Sequence, residues 1–484
     1  MIKIKTILRA LFYLFISFGY SNLSQAENPT GYEIKVRVSP LANSEFYLGN
    51  HYGDKQYVRD TVKSDENGWM TFKGTEKLEG GIYLIVLPNK TYFEIAITDN
   101  DQHFTIETDT IDYVGNMKIV NSPENELFIG HQKFLGLKSK ESAKYRSALE
   151  SNKGNLEEEK KLKEQLNDLD KEVKTYRLNI LKDHPNSFMA ALINAMKEPE
   201  VPESPKDKNG IIVDSLFQYK YYKSHYFDHL NFSDARLLRT PIFQTKLNTY
   251  LNNLTAQIPD SIIISVDTII LKAEVNQDVF KYCVATLANT YETSKIMGFD
   301  KIFVHIAEKY YLSNKAFWAD SALKAKITER VNKIKPTILF GPAHDLTMPD
   351  TSLKLQKLYN LNSKYTALVF WDPTCSHCKT EIPKLSSFRD SAQKAGLSFE
   401  VFAVGIESDI DLWKKFIAEK KLKWINVSDL YNNTKFRDYY DIYSTPVIYL
   451  LDARKRIIAK RLDTDKLSGF IRDIESGKFK LPLN

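Results

Sequence analysis

At 484 residues the chain is too long for one ordinary hydrophobic core and suits about three domains of roughly 100 to 200 residues. Hydrophobic residues make up 43%, and 67 Lys and Arg stand against 61 Asp and Glu. This is a globular composition without the clustered basic surface that binds phosphate backbones, so nucleic acid is not an expected partner. Three cysteines, two of them close together, are too few for a disulfide framework, which leaves redox chemistry as the better use of the pair.

The first 26 residues have the form of a secretory signal. Lys3, Lys5 and Arg9 supply a positive start, Leu11 to Phe18 a short apolar run, and Ser24-Gln25-Ala26 small residues at the cleavage-defining positions. The run is too short to span a bilayer and no second long apolar segment follows, so the expected mature chain is exported, soluble and without a stable membrane span. No cysteine lies near the expected cleavage point, so a lipid anchor is not expected. Removing the segment takes three positive charges and no negative ones, and the formal charge falls from +6 to +3.

Residues 27–120 alternate with a period near two in Ile34 to Val38, Glu45 to Leu48, Trp69 to Phe72, Tyr83 to Val86 and Phe93 to Ile97. Turn signals fall between them at Asn67-Gly68, Gly80-Gly81, Pro88-Asn89 and Asn100-Asp101, which predicts a small antiparallel β-sandwich or barrel. It carries no catalytic constellation.

Residues 121–335 change to charged amphipathic stretches and predict an α-helical domain. From Leu156 to Leu181, the residues Leu162, Leu166, Leu169, Val173 and Tyr176 recur at helical spacing, and Pro199, Pro202 and Pro205 divide the region into two helical groups. His225 and His229 share one face if their stretch is helical. No Glu follows the first His as a zinc hydrolase requires, and Tyr222, Tyr226 and Phe227 nearby favour packing over metal binding. Cys283, in an apolar helical setting, reads as a buried, inert thiol.

From 336 to 484 strands and helices alternate: strand Tyr365 to Phe370, helix Cys375 to Ala395, strand Phe399 to Val404, helix Asp409 to Lys420, strand Trp424 to Val427 and a helical stretch near Lys435 to Tyr440. A hairpin from Pro446 to Leu462 and an amphipathic helix, Asp465 to Ile474, close the α/β domain. A C-x-x-C pair, Cys375 and Cys378, sits after the first strand and opens the first helix. Unpaired N–H groups at a helix start carry partial positive charge and stabilise a thiolate, so Cys375 is expected to attack and Cys378 to resolve the mixed disulfide. A zinc site needs two more ligands, and no second C-x-x-C or suitably spaced His pair follows. The segment calls for no metal and no cofactor.

The stretch Phe370 to Pro383, together with Ser444-Thr445-Pro446 opening a later strand, resembles the thioredoxin-like family, and within it the exported TlpA and ResA branch of thiol-disulfide oxidoreductases. The resemblance covers roughly 150 residues and implies a thioredoxin fold. It implies that Pro446, after Thr445, is a cis-proline facing the cysteines, that Trp371 shields them, that Pro383 kinks the active-site helix and that Glu381 tunes their acidity. Implied partners are protein thiols and disulfides of the periplasm or envelope, and a membrane electron carrier that recharges the pair. The preceding regions resemble the accessory β and helical domains of exported Bacteroidetes-type proteins, with Phe232 to Pro241 carrying the helical likeness and no known activity.

Three questions stay open at this point. The TlpA and ResA likeness points to a reductase or isomerase, whereas His377, just before the second cysteine, would make the centre more oxidising if its imidazole stabilised the Cys375 thiolate. A thiol peroxidase of the related peroxiredoxin kind would carry Thr where this chain has Asp372. A binding or scaffold role for the long N-terminal part is the reading from another class.

Overall fold

The computed structural model describes residues 30–481 except positions 408 and 431, so the expected signal segment lies outside the described residues. The chain divides into two compact units, up to Ala190 and from Ala191 onward.

In the first unit, strands β1 (Tyr32–Ser39), β2 (Glu45–Tyr52), β3 (Lys55–Lys63), β4 (Trp69–Gly74), β5 (Gly81–Val86), β6 (Tyr92–Ile97), β7 (His103–Asp109) and β8 (Lys118–Val120) form two four-stranded sheets, ordered β4-β1-β7-β8 and β3-β2-β5-β6. The alternation predicted from sequence is visible in β1, where Ile34, Val36 and Val38 are fully buried. The pairings are antiparallel except that β1 and β7 run parallel. Helices α1 (Pro123–Ser151) and α2 (Leu156–Asp183) follow, with Phe134 stacked on Tyr176 at 4.1 Å and Lys138 paired with Glu172 at 2.6 Å. The fully buried Asn125 of α1 bonds both the N–H and the C=O of Ala96 on β6, at 2.8 and 2.7 Å. It thereby acts as one rung of a further strand and ties the helix to the sheet edge.

Helix α3 (Phe188–Ala195) straddles the limit between the units. The second unit continues with α4 (Phe217–His225), α5 (Pro241–Asn252), α6 (Pro259–Ala273), α7 (Gln277–Glu292), α8 (Asp300–Ile306) and α9 (Ser321–Ile334). Side chains of Thr240, Asn276 and Asp320 cap α5, α7 and α9, each satisfying backbone N–H groups that a helix start leaves unpaired. Because α4 ends at His225, the two histidines do not share a helix face. His225 pairs with Asp228 at 2.6 Å and packs on Tyr221. Cys283 is fully buried in α7, and burial holds its thiol far above the ordinary range.

A small hairpin, β9 (Thr347–Pro349) with β10 (Leu355–Lys357), precedes β11 (Tyr365–Trp371), α10 (Ser376–Lys394), β12 (Phe399–Gly405), α11 (Ile410–Lys420), β13 (Ile425–Ser428), α12 (Phe436–Tyr439), β14 (Val447–Asp452), β15 (Ile457–Lys460) and α13 (Thr464–Glu475). The last five strands form one sheet ordered β13-β12-β11-β14-β15. β11 is central, parallel to β12 and antiparallel to β14, and all seven of its residues are buried. A strand covered on both faces needs such an unbroken apolar run. Ala367, Val369 and Trp371 join the cluster holding Ile382, Leu385, Trp413 and Leu467, whereas Leu368 and Phe370 join Met348, Phe436 and Tyr440. At Gly405 the Trp413 indole comes so close that a Cβ would lie 2.2 Å from its Nε1.

The helical segment of this unit meets the sheet through a buried cation. Lys460, at the end of β15, donates from Nζ to Asp300 and to the Thr337 carbonyl at 2.6 Å, and its N–H reaches Met297 Sδ at 3.3 Å. Burial pulls the Lys460 ammonium below its usual range, against the pull of Asp300. Removing one partner of such a pair leaves an uncompensated charge, so Asp300→Ala should cost about 3 kcal/mol. Denaturant unfolding of the full chain checks this; an unchanged midpoint would show the pair to be energetically idle.

Candidate active site

Beyond the buried Trp371, the chain is turned by Asp372, whose Oδ1 accepts the N–H and the hydroxyl of Thr374, both at 2.6 Å. The Asp372 carbonyl takes the Cys375 N–H at 3.2 Å. Cys375 is the N-cap of α10, with extended angles of φ −67° and ψ 126°, and its side chain makes no capping bond. That leaves the sulfur at the positive end of a long helix. One turn on, Cys378 is fully buried beside Trp371 and Ile382. Farther along, Pro383 stands inside α10, where its missing N–H removes one rung of the helix ladder.

The thiols are free and their surroundings push them in opposite directions. Burial alone would raise Cys375, but it is outweighed by the hydrogen bond with the Thr445 side chain, the Cys378 N–H and thiol, and the His377 N–H, and the net shift is downward. Cys378 is pushed up to about 11, chiefly by burial, with the neighbouring Cys375 adding to the rise and the Asp372 N–H, 3.5 Å from its Sγ, opposing it. In its protonated form Cys375 donates to the Thr445 carbonyl at 3.2 Å, and the Thr445–Pro446 peptide is cis. The carbonyl that precedes the cis-proline therefore stands against the Cys375 sulfur.

The other expected residues are placed unevenly. Trp371 packs 5.1 Å from Phe416 in the cluster that holds Cys378. The side chain of His377 is exposed and lines a cleft of about 490 Å³ with Glu381, Tyr443, Thr445, Pro446 and Arg461. What acts on Cys375 is the backbone N–H of His377. The Glu381 carboxylate accepts the Thr464 N–H at 3.0 Å and pairs with Lys384 at 3.0 Å. Burial would raise it, yet these bonds hold it below the usual carboxylate range. The Thr464 bond links α10 to the start of α13.

Sequence reasoning missed Asp441, Tyr443 and Arg461, and also Arg330 of α9. Asp441 is buried between Arg330, at 3.1 Å, and Arg461. Arg330 stands 111 residues before its partner, a separation that no local pattern bridges.

A five-stranded sheet of this topology, with a C-x-x-C at a helix start and a cis-proline opposite, defines a thioredoxin-like domain of the oxidoreductase class. Residues 362–457 match the thioredoxin-like family. Residues 32–128 and 148–337 match two domains of unknown function, DUF4369 and DUF5106. Among curated proteins, the chain is similar to the thiol-disulfide oxidoreductase ResA of Oceanobacillus iheyensis, 27% identical over 121 residues; the match takes 24% of this chain and spans 61% of that protein. Among solved structures, a domain of a possible thiol-disulfide isomerase from Cytophaga hutchinsonii is 41% identical, covering 29% of this chain and 95% of that one at a TM-score of 0.28. A thioredoxin-like protein from Bacteroides caccae is 20% identical, covering 58% and 99% at a TM-score of 0.45.

Two outcomes follow from the electrostatics. A lowered pKa leaves more thiolate at a given pH, so iodoacetamide should label Cys375 through a titration below the ordinary thiol value of about 8.5, leaving Cys378 unlabelled at neutral pH. Peptide mapping of the labelled protein checks both halves. A depressed carboxylate contributes stability above its unfolded pKa and loses it as pH falls through the folded value. Glu381→Gln should therefore cost about 1 kcal/mol at neutral pH, with the deficit shrinking below about pH 4. Unfolding midpoints compared at pH 7 and pH 3.5 measure it.

Proposed function

We propose that this chain is a thiol-disulfide oxidoreductase of the cell envelope that acts on protein disulfides, as a reductase or isomerase, with Cys375 as nucleophile and Cys378 as resolving thiol. The observation that carries the reading is the opposed setting of the two sulfurs, one lowered and accessible at a helix start, the other buried and raised. The Cys375 thiolate attacks one sulfur of a substrate disulfide, forming a mixed disulfide and releasing the first substrate thiolate. Cys378 then gives up its proton to a departing thiolate and attacks the Cys375 sulfur, releasing the second. The substrate gains two electrons, and the domain is left as a Cys375–Cys378 disulfide. A donor must restore it, and a membrane electron carrier is the proposed source.

In this reading Trp371, Thr445 and Pro446 shape the face against which the substrate sulfur is held, and Glu381 positions α10. Residues 1–26 direct export. Residues 27–120 and 121–335 are accessory β and helical domains, and 336–484 carry the chemistry. Among the described residues no helix is long and apolar enough to cross a membrane. The exposure of the His377 ring supports the reducing assignment, because an imidazole in solvent does little to hold the Cys375 thiolate.

Cys378→Ser should trap mixed disulfides with envelope proteins, whereas Cys375→Ser should trap essentially none; equal trapping by the two variants would overturn the roles. Equilibration with glutathione should place the couple well below the value of about −120 mV that marks a strong oxidant, with His377→Ala leaving it unchanged.

A further inference from the structure

We propose that Tyr443 is a contact residue for the polypeptide that flanks the substrate cysteine, and that Arg330, on α9 of the helical segment, is the positioning residue that presents it. This deepens the oxidoreductase reading and rests on it. Two residues beyond Tyr443, the Thr445 carbonyl lies 3.2 Å from the Cys375 sulfur. Tyr443, Thr445 and Pro446 line the same cleft. A disulfide brought to Cys375 on a polypeptide must pass along that wall, whereas a small disulfide reaches the sulfur without it.

Tyr443 is 65% exposed, yet its tip is held. The Arg330 Nη1 donates to its hydroxyl at 2.9 Å, and the guanidinium carbon lies 5.1 Å from the ring centroid. The same Nη1 donates to Asp441 at 3.1 Å, Nε reaches Glu292 of α7 at 3.3 Å, and Asp441 also receives Arg461 of the cleft wall. Arg330 is thus fixed from three sides, and it fixes the segment that leads into the cis-proline. A ring already immobilised loses little further freedom when a partner stacks on it, so its contact area is available for binding. The multiple donors of a guanidinium suit this arrangement, and a lysine ammonium cannot reproduce it. The helical segment is then part of the recognition surface for protein substrates.

The test uses the full chain with two disulfide substrates, insulin and the small aromatic disulfide DTNB. For Tyr443→Ala, the ratio of kcat/KM for insulin to that for DTNB should fall on the order of fivefold, the size of one aromatic contact, through KM rather than kcat. Arg330→Ala should lower the ratio in the same direction, with Arg330→Lys failing to restore it, and the pH profile of Cys375 alkylation should be the same in all three variants as in the wild type. Tyr443 is exposed, so its variant keeps the test sound even if Arg330→Ala unfolds. An unchanged ratio in Tyr443→Ala, or equal losses on both substrates with a shifted alkylation profile, would overturn the proposal. A wild-type chain that reduces neither substrate would instead overturn the oxidoreductase reading itself.

Discussion

The redox centre depends on the abrupt passage from a fully buried strand to a helix start within four residues. β11 is apolar throughout because neighbours cover it on both faces, so it cannot continue into solvent. Asp372 ends it by turning its carboxylate onto Thr374 and its carbonyl onto Cys375. The helix that follows opens with N–H groups that lack intrahelical acceptors, and those of His377 and Cys378 act on the Cys375 sulfur. The thiolate is favoured by backbone geometry, a device that tolerates the dipeptide between the cysteines being exposed.

The same geometry separates the two thiols. Three residues along a helix bring Cys378 under the strand end, where Trp371 and Ile382 exclude water and burial opposes ionisation. The accessible sulfur is thereby shifted toward the thiolate and the buried one toward the thiol, the difference on which the proposed exchange rests. The Thr445 carbonyl bond adds a restraint, since only the protonated Cys375 can donate to it.

What could be read from the sequence was the part written in local patterns. The C-x-x-C between a strand and a helix, the later Thr445-Pro446 and the order of elements from Tyr365 to Ile474 are all short-range signals, and the structure places them where those signals indicate. β3 escaped notice because Lys55–Lys63 is an edge strand with most residues exposed, so no apolar alternation marks it. The parallel pairing of β1 with β7 is a long-range choice that alternation does not encode. The bond from Glu381 to Thr464 of α13, 83 residues away, is likewise a long-range contact that no local pattern marks. The histidine pair depended on a helix that stops at His225.

The contacts least visible in the sequence are those by which the helical segment grips the redox domain. Lys460, held by Asp300 and Thr337, and Asp441, held by Arg330 and the more exposed Arg461, are buried charges whose attraction to their partners is largely spent on desolvation. Apolar side chains could bury the same area at similar net stability. They would not specify one arrangement, whereas an ammonium needing two oxygens, or a carboxylate needing two guanidinium groups, is satisfied in one relative placement of the partners and costly in others. The placement selected sets α9 beside the segment that leads into the cis-proline. Polar burial of this kind fixes how the redox module is joined to its helices at the edge of its own cleft.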